Sequence, residues 1–196
     1  EGGQYSDFFE SMFGGGFSNR GANVKYRGQD LNATLRLNIR DVYTTQKQVI
    51  DVNGNSIRLT IPAGISDGQI IRIRGKGGPG VNGGPNGDLL IEFEILNQTE
   101  FKRTNAHLYK TVDLDLYTAV LGGQITVDTF DGKVKLTVRP LTENGTQIKL
   151  KGKGFPVYKK EGGYGNLYIT YQVKMPKKLS EKEKHLFEEL SKLKES

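Results

Sequence analysis

Apolar and polar residues alternate with a period of two along most of this chain. Leu31, Ala33, Leu35, Leu37 and Ile39 are separated by polar neighbours, the pattern of a strand with one buried face. Val49-Ile-Asp-Val52 and Ile57-Arg-Leu-Thr-Ile61 flank Asn53-Gly54, and Asn-Gly predicts a tight hairpin because both turn residues must accept positive φ. The same device is predicted again where Ile125-Thr-Val-Asp-Thr129 and Val134-Lys-Leu-Thr-Val138 flank Asp131-Gly132. Pro62 to Gly68 reads as a turn-rich link to a strand at Ile70-Ile-Arg-Ile-Arg74, and Leu89-Leu-Ile-Glu-Phe-Glu-Ile95 as a further strand. Only the end of the chain changes period. After Pro176, Ser180-Glu-Lys-Glu183 forms a capping box, and Leu179, Leu186, Phe187, Leu190 and Leu193 fall on one helical stripe. That helix is too short to be stable alone in water, so its stripe packs either on its own domain or on the equivalent helix of a second subunit.

The strand pattern occurs twice. An offset of 77 residues lays Leu37 on Leu114, Asp51 on Asp128, and Ile71-Arg-Ile-Arg-Gly-Lys-Gly77 on Ile148-Lys-Leu-Lys-Gly-Lys-Gly154. After one inserted residue, Gly87-Asp-Leu-Leu-Ile91 falls on Gly165-Asn-Leu-Tyr-Ile169. Two copies of such a long unit imply two similar small domains rather than a solenoid. The expected fold is therefore mainly β: two tandem small antiparallel β-sandwiches followed by a C-terminal amphipathic helix. The expected boundaries are a flexible Gly/Phe-rich segment at 1–28, a first sandwich at 29–97, a second at 98–176 and the helix at 177–196.

Composition narrows the chemistry. The 196 residues include no cysteine and two histidines, so no disulfide, thiolate metal site or histidine metal site is expected, and a cytosolic location fits. There is no apolar run of membrane-spanning length and no signal-peptide core at the start. The net charge of +6 comes from 28 basic and 22 acidic residues that are interspersed, the usual pattern of a solvated surface. A basic nucleic-acid-associated protein is the alternative, against which stands the scatter of lysine and arginine among carboxylates. The run Gly75-Lys-Gly-Gly-Pro-Gly80 fits G-x-G-x-x-G, but Val81 to Gly87 breaks any helix that would bind phosphate. The shared Gly-Lys-Gly is read as backbone geometry in a strand-to-loop turn. Glu92 and Glu94, and Asp113 and Asp115, share solvent faces of strands with no nucleophile, metal or desolvated pocket beside them, so no catalytic residue is assigned. In residues 1–28, phenylalanines lie among glycines without a period, as in a linker or a tether whose aromatics dock on a partner.

Several stretches resemble a known family. Ile61-Pro-Ala-Gly64, the loop from Gly75 to Leu89, Leu121-Gly-Gly123, Asp131-Gly-Lys-Val-Lys-Leu136, Gly152-Lys-Gly-Phe-Pro156 and Gly165-Asn-Leu167 closely resemble the C-terminal substrate-binding region of DnaJ-type J-domain co-chaperones. The resemblance covers 29–194 almost continuously, and residues 1–28, with Asp7-Phe-Phe9, are similar to the glycine/phenylalanine region before it. Two features depart from the family: the J domain with its His-Pro-Asp signature is absent from this sequence, and the Cys-x-x-Cys-x-Gly-x-Gly zinc repeats are replaced by the Asn53-Gly54 hairpin. The chain thus resembles a truncated member of the zinc-less, CbpA-like class. The resemblance implies a cytoplasmic, homodimeric module without cofactor, which captures non-native polypeptides in an apolar groove of the first sandwich and delivers them to a DnaK-type chaperone. By alignment that groove would use Leu35, Leu37, Ile50 and Val52, with Phe93 and Phe101. These alternating apolar residues would equally suit the sandwich core. In eukaryotic relatives, lysines on this strand grip the partner chaperone's acidic tail; here Asp51 takes one such place and Lys47 is the nearest candidate. Leu186, Phe187, Leu190 and Leu193 would form the dimer contact.

Overall fold

A computed structural model of the chain describes residues 24–52 and 54–194. Most of the Gly/Phe-rich segment read at 1–28, including Asp7-Phe-Phe9, lies outside the described residues, as does Asn53. The strands are β1 (Leu31–Asn38), β2 (Gln46–Val52), β3 (Asn55–Ile61), β4 (Ile70–Ile73), β5 (Leu89–Leu96), β6 (Lys102–Thr104), β7 (His107–Asp115), β8 (Gly123–Thr129), β9 (Gly132–Val138), β10 (Gln147–Leu150) and β11 (Leu167–Lys174). Among the described residues two helices accompany them, α1 (Leu116–Leu121) and α2 (Glu181–Lys194).

The duplication is visible in the topology. A three-stranded sheet has the order β1-β5-β4, and a four-stranded sheet repeats it as β7-β11-β10 with β6 added beyond β7. Each copy also has a separate hairpin, β2-β3 and β8-β9. The chain is mainly β, as the period-two pattern implies. The hairpins and the β4-β5 and β10-β11 pairs are antiparallel. In contrast, β11 runs parallel to β7, and hydrogen bonds from Leu31 N to Asp88 O and from Ile39 N to Leu96 O give β1 and β5 a common direction. A parallel pair needs a long crossover, here supplied by everything between the first and last strand of a copy.

The described residues form two compact units, one drawn from 24–35 and 70–92, the other from 36–52, 54–69 and 93–194. In the first unit Asp88 organises the glycine loop. Its carboxylate accepts from Gly75 N at 2.8 Å and pairs with Arg27 and Arg72. The Gly75 N–H, followed by the arginine charges, holds the Asp88 carboxyl below the usual carboxylate range. Gly75 has φ +66°, and a Cβ on Gly77 would lie 2.5 Å from the Gly87 carbonyl carbon. Leu89 and Ile91 are fully buried beside this loop. These glycines are required by turn conformation and close backbone approach, and no phosphate site is needed to explain them.

The second unit repeats the turn and adds an aromatic core. Asn166 stands where the first copy has Asp88, and its side chain accepts from Gly152 N. Tyr43, Phe130 and Phe155 pack with ring centroids 4.8 to 5.4 Å apart, and Phe101 meets Phe130 at 5.5 Å. Burial, then the nearby Asp131 charge, pushes the Tyr43 hydroxyl up to about 12. Lys110 sits on the inward face of β7, nearly buried, with its ammonium on Glu100, on the Asp128 carbonyl and over the Phe101 ring. A charge in that position is tolerated because every donor direction finds a partner.

The Pro62 to Gly68 link packs on this core through Gly64, which has φ +80°. A Cβ there would lie 2.4 Å from Pro156 O and 2.8 Å from Tyr158 N. Gly64→Ala should therefore cost at least about 2 kcal/mol, from left-handed strain plus a clash with backbone that cannot step aside. Urea unfolding should show a lower midpoint at unchanged slope; an unshifted midpoint would mean that the loop is free to move.

Candidate functional site

The β2-β3 hairpin is a sheet of its own within the second unit. Ile50 faces Ile57, Gln48 faces Leu59 and Gln46 faces Ile61 across the antiparallel register, so these side chains share one face. On β3 that face is buried: Ile57, Leu59 and Ile61 are core residues. On β2 it is only half-buried, at Gln46, Gln48, Ile50 and Val52. The second copy closes the same place, since Val127, the counterpart of Ile50, is buried. Because among the described residues β2 pairs with β3 alone, its outer edge carries main-chain donors and acceptors that no other described strand meets, a surface suited to an added strand.

The six residues expected to bind substrate divide into two groups. Leu37, Phe93 and Phe101 are 5%, 0% and 2% exposed and belong to the chain's own packing. Leu35, Ile50 and Val52 are half-buried and retain apolar surface. Period-two alternation marks both groups alike, because it reports which face is apolar and not what covers it. The opposite face of β2 carries Lys47, 63%-exposed Val49 and Asp51. Asp51 spends its carboxylate on the Gly54 N–H of the turn, leaving Lys47 as the strand's one cation.

The stripe on α2 sits beside α1. The capping box forms: Ser180 N donates to Glu183 Oε2 at 2.7 Å, and Glu183 N donates to Ser180 Oγ. These Ser180 donors hold the Glu183 carboxyl below its ordinary value. The Tyr117 hydroxyl also donates to Glu183, and its ring lies 6.3 Å from that of Phe187. Phe187 is half-buried, whereas Leu186, Leu190 and Leu193 are 49%, 60% and 73% exposed. An almost wholly apolar cleft of about 360 Å³ opens between Leu116, Tyr117, Val120 and Leu121 on one side and Leu186, Phe187 and Leu190 on the other. The sequence pattern misses α1 because six residues are too few to show a helical period. Its one local signal is Asp115, whose carboxylate caps Thr118 N and accepts from the Thr118 hydroxyl.

Among the described residues no cluster of histidine and carboxylate could hold a metal ion, and no helix is long and apolar enough to cross a membrane. A duplicated β module with an open hairpin edge and an uncovered apolar helix stripe has the features of a binding protein. The chain belongs to the DnaJ C-terminal domain family, whose model matches residues 26–176. It is 47% identical to "Chaperone protein DnaJ" of Caldicellulosiruptor saccharolyticus over 69% of this chain and 35% of that relative. It is 34% identical to "Chaperone protein DnaJ 2" of Thermus thermophilus over 95% of this chain and 65% of the relative. A "Curved DNA-binding protein" of Pseudomonas putida is also 34% identical, over 97% of this chain and 66% of the relative. The chain thus spans about a third to two thirds of the length of these relatives. The family is a chaperone family without enzymatic activity.

Proposed function

We propose that this chain is the client-binding region of a DnaJ-type co-chaperone, acting in the cytoplasm as a homodimer. A non-native polypeptide adds as a strand along β2 and places large apolar side chains against Ile50 and Val52. The observation that carries this reading is the uncovered face and edge of β2, where the second copy buries the equivalent residue. Main-chain hydrogen bonds to an added strand ignore sequence, and shallow apolar contacts accept many side chains, which suits a binder of unfolded chains. Phe93 and Phe101 are buried in the chain's own packing and take no direct part in this contact. Lys47 is the residue offered to the acidic tail of a DnaK-type chaperone, which receives the client. The dimer forms through Leu186, Phe187, Leu190 and Leu193, and 29–97 and 98–176 act as client-binding and supporting sandwiches. Binding of duplex DNA has only the charge of +6 and the name of a relative behind it.

The test is the double variant Ile50→Asp with Val52→Asp. Because both residues are half-buried, the fold should survive, while roughly 3–6 kcal/mol of apolar contact with the client is lost and suppression of client aggregation disappears. Far-UV circular dichroism checks the fold and light scattering of a denatured client checks the activity. An unfolded variant would place the pair in the core, and a folded one that still suppresses aggregation normally would place the client elsewhere.

A further inference from the structure

The outer face of the four-stranded sheet carries an arrangement that client capture does not use. Register places Lys149 of β10 opposite Tyr168 of β11, Tyr168 beside Tyr109 of β7, and Tyr109 opposite Lys102 of β6. Four strands thus contribute one continuous row, Lys149, Tyr168, Tyr109, Lys102. The two tyrosine rings stack 5.1 Å apart and within 14° of parallel. The His107 ring meets Tyr168 edge-on at 5.6 Å, and its Nδ1 accepts from Asn166 N. Lys102 and Lys149 are exposed and take part in no ion pair among the described residues.

Charge along the sheet is graded. The acidic residues of this face, Asp113 and Asp115, stand four and six residues along β7 from Tyr109. The nearer is therefore roughly 13 Å away, beyond a Debye length at physiological salt, and it pairs with Lys174. The tyrosine end is left basic. The fold does not require this row, since the first copy has Asn32 and Leu90 where the second has Tyr109 and Tyr168. Paired tyrosines in this place add aromatic surface to a solvent face without filling a core.

We propose that this face of the second copy binds single-stranded nucleic acid, with bases continuing the Tyr109-Tyr168 stack and Lys102 and Lys149 meeting the flanking phosphates. Stacking takes any base, because every base has a π face, and the lysines supply sequence-independent attraction to the backbone. A duplex hides its bases and would leave the tyrosines without a role, so the stacked pair selects the single strand.

Fluorescence anisotropy of labelled fifteen-residue oligo-dT and oligo-U against the full chain, at salt concentrations from 50 to 200 mM on the order used for such titrations, reads the proposal directly. Tyr109→Ala with Tyr168→Ala should weaken binding at least about tenfold with an unchanged salt slope. Tyr109→Phe with Tyr168→Phe should keep it, since the ring and not the hydroxyl does the stacking. Lys102→Ala with Lys149→Ala should flatten the slope of log K against log salt by about 1.4, two phosphates at about 0.7 each. The Ile50→Asp, Val52→Asp variant should bind the oligonucleotides as the parent does, which separates this site from the β2 face. The proposal is overturned if the alanine pair binds like the parent, if the lysine pair leaves the slope unchanged, or if only duplex competes. It is also overturned if the face proves to hold unfolded peptide and no oligonucleotide. Should the alanine pair fail to fold, the phenylalanine and lysine pairs decide alone.

Discussion

Arg103→Met should cost roughly 3–6 kcal/mol of folding stability, a large fraction of what a domain of this size holds. The guanidinium of Arg103 donates through Nε to Asn105 O at 2.8 Å, through Nη1 to Ile65 O at 2.8 Å and through Nη2 to Gly64 O at 2.7 Å. It also lies 3.9 Å above the Phe155 ring. Its environment is carbonyl and aromatic, with no carboxylate in contact among the described residues, and burial pushes it down to about 10, still charged at neutral pH. Methionine fills similar volume but leaves three carbonyls with no donor, each costing about 1–3 kcal/mol where water cannot replace it, and removes a partly desolvated cation–π contact. Arg103→Lys should recover less than half of the loss, because one ammonium cannot span three carbonyls and a ring face. Urea unfolding monitored by circular dichroism measures both variants. A shift below about 1 kcal/mol for Arg103→Met would show that solvent already satisfies these carbonyls.

Leu186→Lys with Leu190→Lys should turn the proposed dimer into a folded monomer. Both side chains are mostly exposed within one chain, so replacing them leaves the capped α2 and the Tyr117-Phe187 contact in place. In a two-fold interface each change counts twice. Losing four buried leucines should remove at least about 4 kcal/mol of association, a thousandfold or more in Kd. Short client peptides should bind as before, while long clients that reach both β2 faces should lose avidity, because the second contact is no longer intramolecular. Sedimentation velocity decides the matter: a parent chain that is monomeric at tens of micromolar, on the order of weak association, would mean that α2 serves its own domain alone.

The two variants probe features of unequal legibility. The α2 stripe and the Ser180-Glu183 box are local, and the box forms at the expected residues. The strands and both hairpins are also local, because side-chain period and turn chemistry act within a few residues, although the second turn falls on Phe130-Asp131, one residue before the expected Asp131-Gly132, since Thr129 pairs with Gly132. So are the glycine turns, where Gly75 and Gly152 have φ values of +66° and +72°. Arg103 gives no such sign. Its role depends on carbonyls 38 and 39 residues away in the chain, and in sequence it is one cation among many.

Of the candidate site, the sequence by itself determined the apolar face of β1 and β2, the stripe of α2, and the duplication that makes the two copies comparable. Tertiary structure alone decided that Leu37, Phe93 and Phe101 are covered while Ile50 and Val52 are not, that α1 forms an apolar wall beside α2, and that Tyr109 and Tyr168 stack. The physical reason is one of range. Periodicity and turn chemistry follow from forces within a turn or a strand, and they dictate which side of an element prefers to leave water. What then covers that side depends on residues tens of positions away brought together by sheet pairing, as the parallel register of β7 and β11 does for two tyrosines 59 residues apart.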